Sequence, residues 1–329
     1  MSPAPCVMGL SSGKYDVLIL GTGVSGLYAA LNLDSSLSVL LCSKAELKLS
    51  NSSLAQGGVA AVLDLENDSY QLHYDDTFIA GRGANKPETV KILVEEGPDD
   101  VRNLINMGVD FDQNPDGTLN KTLEGGHSRH RIVHHRDSTG DELTTVLLKR
   151  VKELPNVEIV ENTTCVQMSH ADNGFFAELL MDGELVQVGA SFVILATGGI
   201  GRVYKYTTNS KIATGDGIRI AYELGANIKD LDYIQFHPTA FAASEGRERF
   251  LISESVRGEG AYLLNCNHER FMDRYDKRLE LAPRDKVSHS IMMEYRRTGS
   301  DKFYLDTARL DSDFLKQRFP LIYGRCLEE

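Results

Sequence analysis

A chain of 329 residues is long enough for a full hydrophobic core and for two domains. Its 35 basic and 47 acidic side chains leave a formal charge of −12, which repels phosphate backbones and argues against nucleic acid as a partner. The apolar share of 42% is ordinary for a globular protein, and no apolar run approaches the roughly 20 residues a membrane helix needs, so no membrane partner is expected.

Five cysteines (Cys6, Cys42, Cys165, Cys266 and Cys326) include no C-x-x-C pair, which points to reduced thiols and a cytoplasmic location rather than a disulfide framework. Residues 1–14 lack a basic segment followed by an apolar one and read as a loose leader, not a signal peptide. The run YDVLIL, residues 15–20, is nearly all apolar and suits a parallel strand buried on both faces. GTGVSG (21–26) follows at once, then a helix over 27–33 and a second buried strand over 39–41, which makes a compact βαβ unit. Residues 50–140 are rich in Gly, Asn, Asp and His, with a helical pattern over 90–107. Strands are expected over 157–168 and 175–188, with Asp182-Gly183 as a hairpin turn, and a further buried strand over 192–196. Residues 216–225 read as a helix with a glycine stop. The character changes near Leu231 to mixed α and β with many charges. The expected organisation is therefore a domain over 15–230 and a second over 231–329.

The first chemical feature is Gly21-x-Gly23-x-x-Gly26, which has the context the pattern requires: a buried strand before it and a helix after it. The first glycine permits the tight turn, the second admits a pyrophosphate to the backbone, and the third lets helix and strand pack closely. Free N–H groups and the positive end of the helix dipole then face the phosphate charge. The bland alternative is an ordinary glycine turn. An acid normally ends the second strand and holds the ribose, but Cys42, Ser43 and Lys44 stand there. That departure weakens a nicotinamide cofactor more than FAD, which makes many other contacts. Gly57 and Gly58 suit close approach to a flat ring, Thr197-Gly198 makes another glycine turn after a strand, and Asp216 is a candidate ribose or ribityl contact.

Eight motifs carry a resemblance: GTGVSG (21–26), SNSSLAQGGVAA (50–61), EGGHSRHRIVH (124–134), LATGG (195–199), YTTN with TGDG (206–217), QFHPTA (235–240), RGEGAYL (257–263) and LAPRD (281–285). In this order the chain resembles the L-aspartate oxidase family, within the succinate dehydrogenase and fumarate reductase flavoprotein superfamily. The resemblance implies an α/β fold: a Rossmann-like FAD-binding domain with an inserted α+β capping domain. It implies FAD held by Gly21, Thr22, Gly23, Val24, Ser25, Gly26, Ser43, Lys44, Ser50, Asn51, Ser52, Gln56, Gly57, Gly58, Val166, Thr197, Gly198 and Asp216. The membrane-associated relatives bind FAD covalently through a histidine where Asn51 stands, so FAD here is expected to be non-covalent. The aspartate oxidases carry an acid before GGH, and Glu124 stands there. Paired with the substrate ammonium, it selects aspartate over succinate, since burying that cation unpaired costs several kcal/mol.

Aspartate presents two carboxylates and one ammonium, so its site needs clamps for the first and an acid for the second. The resemblance assigns His237 and Gln235 to the substrate, with Thr239 on the same expected strand face. It matches Ser253 and Glu254 to a threonine–glutamate pair of the family, and Arg284 to an arginine given proton-transfer duty. A free guanidinium is a very poor base, with a pKa above about 12, so a carboxylate clamp is the alternative. For His237 the bland reading is a satisfied core histidine; for Arg284 it is a capping salt bridge with Asp285. His127, His130, His134 and His135 lack a matching acid or thiol framework, so no metal is expected and they are read as structural or substrate-loop residues. The implied reaction is oxidation of L-aspartate to iminoaspartate with O2 or fumarate as acceptor, the first step of de novo NAD biosynthesis, with quinolinate synthase as the next enzyme and partner. The family continues past residue 329 with a second flavin segment, another substrate histidine and arginine, and a helical domain. A C-terminally truncated chain is therefore expected, weak in FAD binding and turnover by itself. A fumarate reductase or succinate dehydrogenase flavoprotein is the competing reading, opposed by Asn51 and Glu124; a non-catalytic flavin-binding remnant is the third.

Overall fold

The computed structural model describes residues 14–242 and 246–328. The leader expected over 1–14 lies outside them except for Lys14. In chain order the first elements are β1 (Lys14–Leu20), α1 (Val24–Leu31), β2 (Val39–Cys42), β3 (Val59–Ala60), α2 (Tyr70–Ala80) and α3 (Pro87–Met107). Next come β4 (Lys121–Thr122), β5 (Ile132–Val133), α4 (Thr139–Lys152), β6 (Val157–Val160), β7 (Thr163–Ala171), β8 (Gly174–Met181), β9 (Glu184–Leu195) and α5 (Asp216–Glu223). The rest are α6 (Glu254–Gly258), β10 (Tyr262–Leu264), α7 (Arg284–Thr298), β11 (Tyr304–Asp306), α8 (Ser312–Arg318) and α9 (Pro320–Glu328).

The described residues fall into two compact units: those within 14–54 and 143–233, and those within 55–142 and 234–328. One boundary between the units falls at 233/234. Residues 55–142, expected within the first domain, instead cluster with the C-terminal stretch. Their contacts explain it: Gln56 Nε2 donates to the Leu251 carbonyl, and Ile322 N–H donates to Asp137, each 2.6–2.8 Å.

The first unit is built on a six-stranded sheet in the order β6-β2-β1-β9-β8-β7. β6, β2, β1 and β9 run parallel, and β9, β8 and β7 antiparallel. Val17, Leu18, Ile19 and Leu20 are almost fully buried, as a central strand with cover on both faces requires. Asp182 and Gly183 both have positive φ (50° and 86°), the conformation of a two-residue type I′ hairpin turn between β8 and β9. The two strands expected over 175–188 and 192–196 are divided differently. β9 is one 12-residue strand that pairs antiparallel with β8 and then parallel with β1. Gly189 continues the ladder by pairing with both Phe176 and Lys14, so it does not break the strand. Phe192, expected in a buried run, is 66% exposed.

The second unit holds the small sheets β3-β5-β4 and β10-β11 with helices α2, α3, α6, α7, α8 and α9. Its core gathers Leu263, Phe271, Met272, Ala282 and Val287, and beside them Val256, Ala261, Phe319 and Ile322. Buried Asp137 accepts the Ile322 N–H in the first turn of α9, satisfying an N–H that the helix itself cannot.

Candidate active site

The dinucleotide turn lies in the first unit, between β1 and α1. Gly21 has φ +115°, and a Cβ there would overlap the Ala196 carbonyl oxygen; a Cβ at Gly26 would overlap the Gly21 carbonyl oxygen. Both positions therefore demand glycine, one for backbone sign and one for helix–turn packing. Val24 N–H donates to Ser52 Oγ at 3.0 Å, and buried Thr22 Oγ1 donates to Ser43 Oγ at 2.9 Å, locking the turn to neighbouring loops. A cavity of about 280 Å³ opens here. Its wall includes Gly21, Thr22, Gly23, Ser25, Ser43, Lys44, Ser50, Asn51, Ser52, Thr197, Gly198 and Asp216. These are polar, small and partly glycine-lined, a cradle suited to a phosphate-bearing nucleotide.

The missing acid after β2 has a structural counterpart. Lys44 Nζ lies 2.6 Å from Asp216 Oδ2 and 2.5 Å from Thr214 Oγ1, so the acid reaches the strand end from α5. Asn51 Oδ1 accepts the Ser210 N–H at 2.8 Å. Thr197 Oγ1 accepts the Gly217 N–H at 3.1 Å and joins the β9 end to α5. Val24 and Gly26 lie in the turn but not on the wall, and four further expected cofactor residues stand elsewhere. Val166 is beyond the cavity wall, at a β-bulge where its carbonyl accepts from Arg219. The wall instead takes Thr163, Thr164 and Cys165, which lie ahead of the bulge and which sequence reasoning missed. Gln56, Gly57 and Gly58 belong to the second unit. There a Cβ on Gly57 would stand 3.3 Å from Glu124 Oε1, and one on Gly58 would overlap the Val133 carbonyl.

The second unit brings Glu124, Gln235, Glu254 and Arg284 together. Glu124 is buried; its Oε1 accepts from Ser255 Oγ at 2.8 Å and its Oε2 stands 3.9 Å from Arg284 Nη2. Arg284, the first residue of α7, contacts Glu254 through Nε and donates from Nη1 to Gln235 Oε1 at 3.0 Å. Glu254 also faces the fully buried Arg257 at 3.3 Å. Asp285, the expected capping partner of Arg284, pairs instead with Arg82. Ser253 caps α6 by accepting the Ser255 N–H at 3.2 Å, which explains its buried position as helix geometry. Ser255 and Arg257 carry no role in the sequence reading, although Arg257 lies in a quoted motif; contact with an acid is visible only once the chain is folded.

The expected strand over QFHPT does not form. Only Ala240 bridges to Leu251, because Pro238 has no N–H to continue a ladder. His237 turns back, and its Nδ1 accepts the Thr239 N–H at 3.3 Å. Burial, then the charges of Arg284 and Arg257, push His237 down to about 3, so it is a neutral imidazole with its proton on Nε2. Thr239 Oγ1 donates to the Ile252 carbonyl at 2.7 Å. The other histidines disperse. His134 Nδ1 meets Asp112 at 2.9 Å, His135 Nδ1 meets the Asp110 carbonyl at 2.5 Å, and His130 Nδ1 meets the Lys121 carbonyl at 3.3 Å.

A family model described as an FAD binding domain matches residues 16–328. The L-aspartate oxidase of Clostridium perfringens is 46% identical over 316 residues, 95% of this chain and 70% of that protein. The L-aspartate oxidase of Nostoc is 41% identical, over 98% of this chain and 57% of its own length. E. coli quinol fumarate reductase FrdA superposes with a TM-score of 0.88 at 30% identity, over 94% of this chain and 56% of FrdA. The chain thus spans between about half and 70% of the length of these relatives. The glycine turn, the polar cavity and FAD fit one another, and the chain belongs to the FAD binding domain family of flavoproteins, in its L-aspartate oxidase branch.

Proposed function

We propose that the protein oxidises L-aspartate to iminoaspartate, with O2 or fumarate reoxidising a non-covalent FAD. The observation that carries this reading is a buried acid, Glu124, held by Ser255 and only loosely approached by Arg284 at 3.9 Å. An acid with such a weak internal partner can take up an ammonium. FAD, when bound, supplies the electron sink for the hydride leaving Cα. This chain's residues bind and orient. Glu124 receives the ammonium and is placed to accept the proton it releases. Arg284 and Gln235 clamp a carboxylate, and neutral His237 offers Nε2–H to a carboxylate oxygen. As a donor-only group Arg284 is a clamp; any proton it passes must be taken by Glu254, which touches its Nε. Gly21, Gly23, Ser25, Ser43, Lys44, Asn51, Ser52 and Asp216 hold the nucleotide, and the Asn51 amide forms no covalent flavin bond. A cytoplasmic oxidase of this kind would open de novo NAD biosynthesis and supply quinolinate synthase.

The decisive experiment is anaerobic addition of L-aspartate to FAD-loaded protein while the flavin absorbance is followed. Bleaching supports the reading; bound FAD without bleaching favours a flavin-binding remnant. Glu124→Gln should lower aspartate oxidation at least tenfold more than fumarate reduction, and equal losses would remove the ammonium role. The likeness to FrdA favours fumarate reduction as a second reading; flavin that stays with the denatured chain would revive it.

A further inference from the structure

Glu124 and His127 stand at the two ends of one tight turn. His127 N–H donates to the Glu124 carbonyl at 3.2 Å, and Gly126 between them has φ +88°, the conformation that position i+2 of a type II turn requires. The Cα atoms at the ends of such a turn lie within about 7 Å, so the two side chains rise from the same short platform.

The platform is anchored beneath. Arg131 is fully buried; its Nε and Nη2 each donate to Asp68 at 2.8 Å and its Nη1 donates to Asp76 at 2.5 Å. Asp76 also accepts both N–H and O–H of Ser128, each at 2.8 Å. The same Arg131 Nη1 lies 3.2 Å from His127 Nδ1. A guanidinium only donates, so Nδ1 must accept and the ring proton must sit on Nε2. Among the described residues Nε2 has no hydrogen-bond partner.

We propose that His127 is a further substrate-binding residue, fixed by Arg131 in its Nε2–H tautomer and donating that N–H to a carboxylate of the bound dicarboxylate. The inference rests on the proposed role of Glu124 at the other end of the turn. It divides the substrate between the two ends: ammonium on Glu124, carboxylate oxygen on His127. The charged groups around the ring agree with a neutral donor. Burial and Arg131 work against a second ring proton, and they outweigh Asp76, Glu124 and Glu254, which favour it. The neighbouring His73 ring, 5.8 Å away, is also held neutral. A protonated His127 would instead place a cation in the field of Glu124, the acid proposed to meet the substrate ammonium.

The test uses the FAD-loaded chain and measures dissociation constants for L-aspartate and succinate by flavin difference spectra, beside the nitrogen chemical shifts of the His127 ring. His127→Ala should weaken both ligands by about tenfold or more and by the same factor, because both carry the carboxylate. His127→Gln, which keeps an N–H donor, should recover most of that loss. Glu124→Gln should weaken aspartate alone. If His127→Ala binds both ligands as the parent does while Glu124→Gln still discriminates, the His127 contact is wrong and the ammonium site stands. If Glu124→Gln fails to discriminate, or the parent binds neither ligand, both fall. A ring proton found on Nδ1 overturns the tautomer assignment, and the proposal with it.

Discussion

Replacing Arg131 by Met removes the cation from a deeply buried ionic cluster near the proposed site. Arg131 is 1% exposed and makes a two-point contact with Asp68 and one with Asp76. Both acids would remain in place without it. Breaking a buried pair by deleting one partner costs about 3–5 kcal/mol. Asp76 would keep two bonds from Ser128 and Asp68 one from the Ser69 N–H. That puts the loss near the lower end, about 3 kcal/mol, or a melting temperature lower by up to roughly 10 °C. The pH dependence sharpens the test. In the parent, burial raises both acids, but Arg131 and local N–H bonds outweigh it, so both lie below their ordinary value. A depressed carboxylate contributes stability that is present above its unfolded pKa, about 3.9, and is lost as pH falls through the folded value. Without Arg131, the burial of each acid is left to weigh against fewer opposing bonds. Arg131→Met should therefore recover part of its deficit between pH 7 and pH 4.5, where the parent gains nothing from these acids. Asp68→Asn and Asp76→Asn added to Arg131→Met should restore more than half of the loss at pH 7. Melting followed by circular dichroism across that range decides it. A single variant within about 1 °C of the parent at every pH would show that the cluster does not carry the loop.

Gly21→Ala should abolish FAD retention on gel filtration and destabilise the first unit by at least about 2 kcal/mol, since the position combines φ +115° with a carbonyl in the space a methyl group needs. FAD bound as by the parent would mean that the turn relaxes cheaply. His73, lowered to about 4 chiefly by burial and then by Arg131, and His237, lowered to about 3, should make the fold acid-sensitive. Both are depressed, so their contribution is complete above the unfolded value of about 6.5 and is lost as pH falls toward 4 and 3. At pH 5, 1.5 units below the unfolded value, each costs about 2 kcal/mol at 1.36 kcal/mol per unit. His73→Met should remove about 2 kcal/mol of the drop in stability between pH 7.5 and pH 5, with His237 and His127 supplying the rest; an unchanged slope would rule His73 out.

The first βαβ unit was legible because its signals are local. An apolar run, a glycine turn and a second apolar run specify neighbours within about 30 residues, and Val17–Val39 pairing follows from them. The Asp182-Gly183 turn was legible for the same reason. Failures arose where distant residues decide. Nothing near Val166 announces the bulge at that position, and nothing near Glu124 announces that residue 255 supplies its hydrogen-bond donor from 131 positions away. Alternation in QFHPT resembled a strand, but Pro238 breaks the ladder and sends His237 back onto Thr239. The shift in composition over 50–140 set this stretch apart but did not show that it groups with the C-terminal stretch, because short two-residue strands carry too little pattern to reveal which core they join.

The arrangement around Arg284 shows why a single acid can decide the choice of substrate. Glu254 and Glu124 are both buried, yet Arg284 is committed to the first by direct contact and reaches the second only across 3.9 Å. At that separation a direct N–H···O bond is absent, so drawing Glu124 toward an ammonium sacrifices little. Its other oxygen keeps the Ser255 bond and so holds the carboxylate in one orientation. A dicarboxylate lacking the amine would leave Glu124 facing a carbon atom, a buried carboxylate with the Ser255 bond, a long Gly58 N–H contact at 3.5 Å and a distant cation. The resulting penalty falls on succinate and not on aspartate, which is the sense of selectivity proposed for the site. Selection therefore arises from the pairing that Arg284 does not complete, with Glu254 keeping the guanidinium occupied.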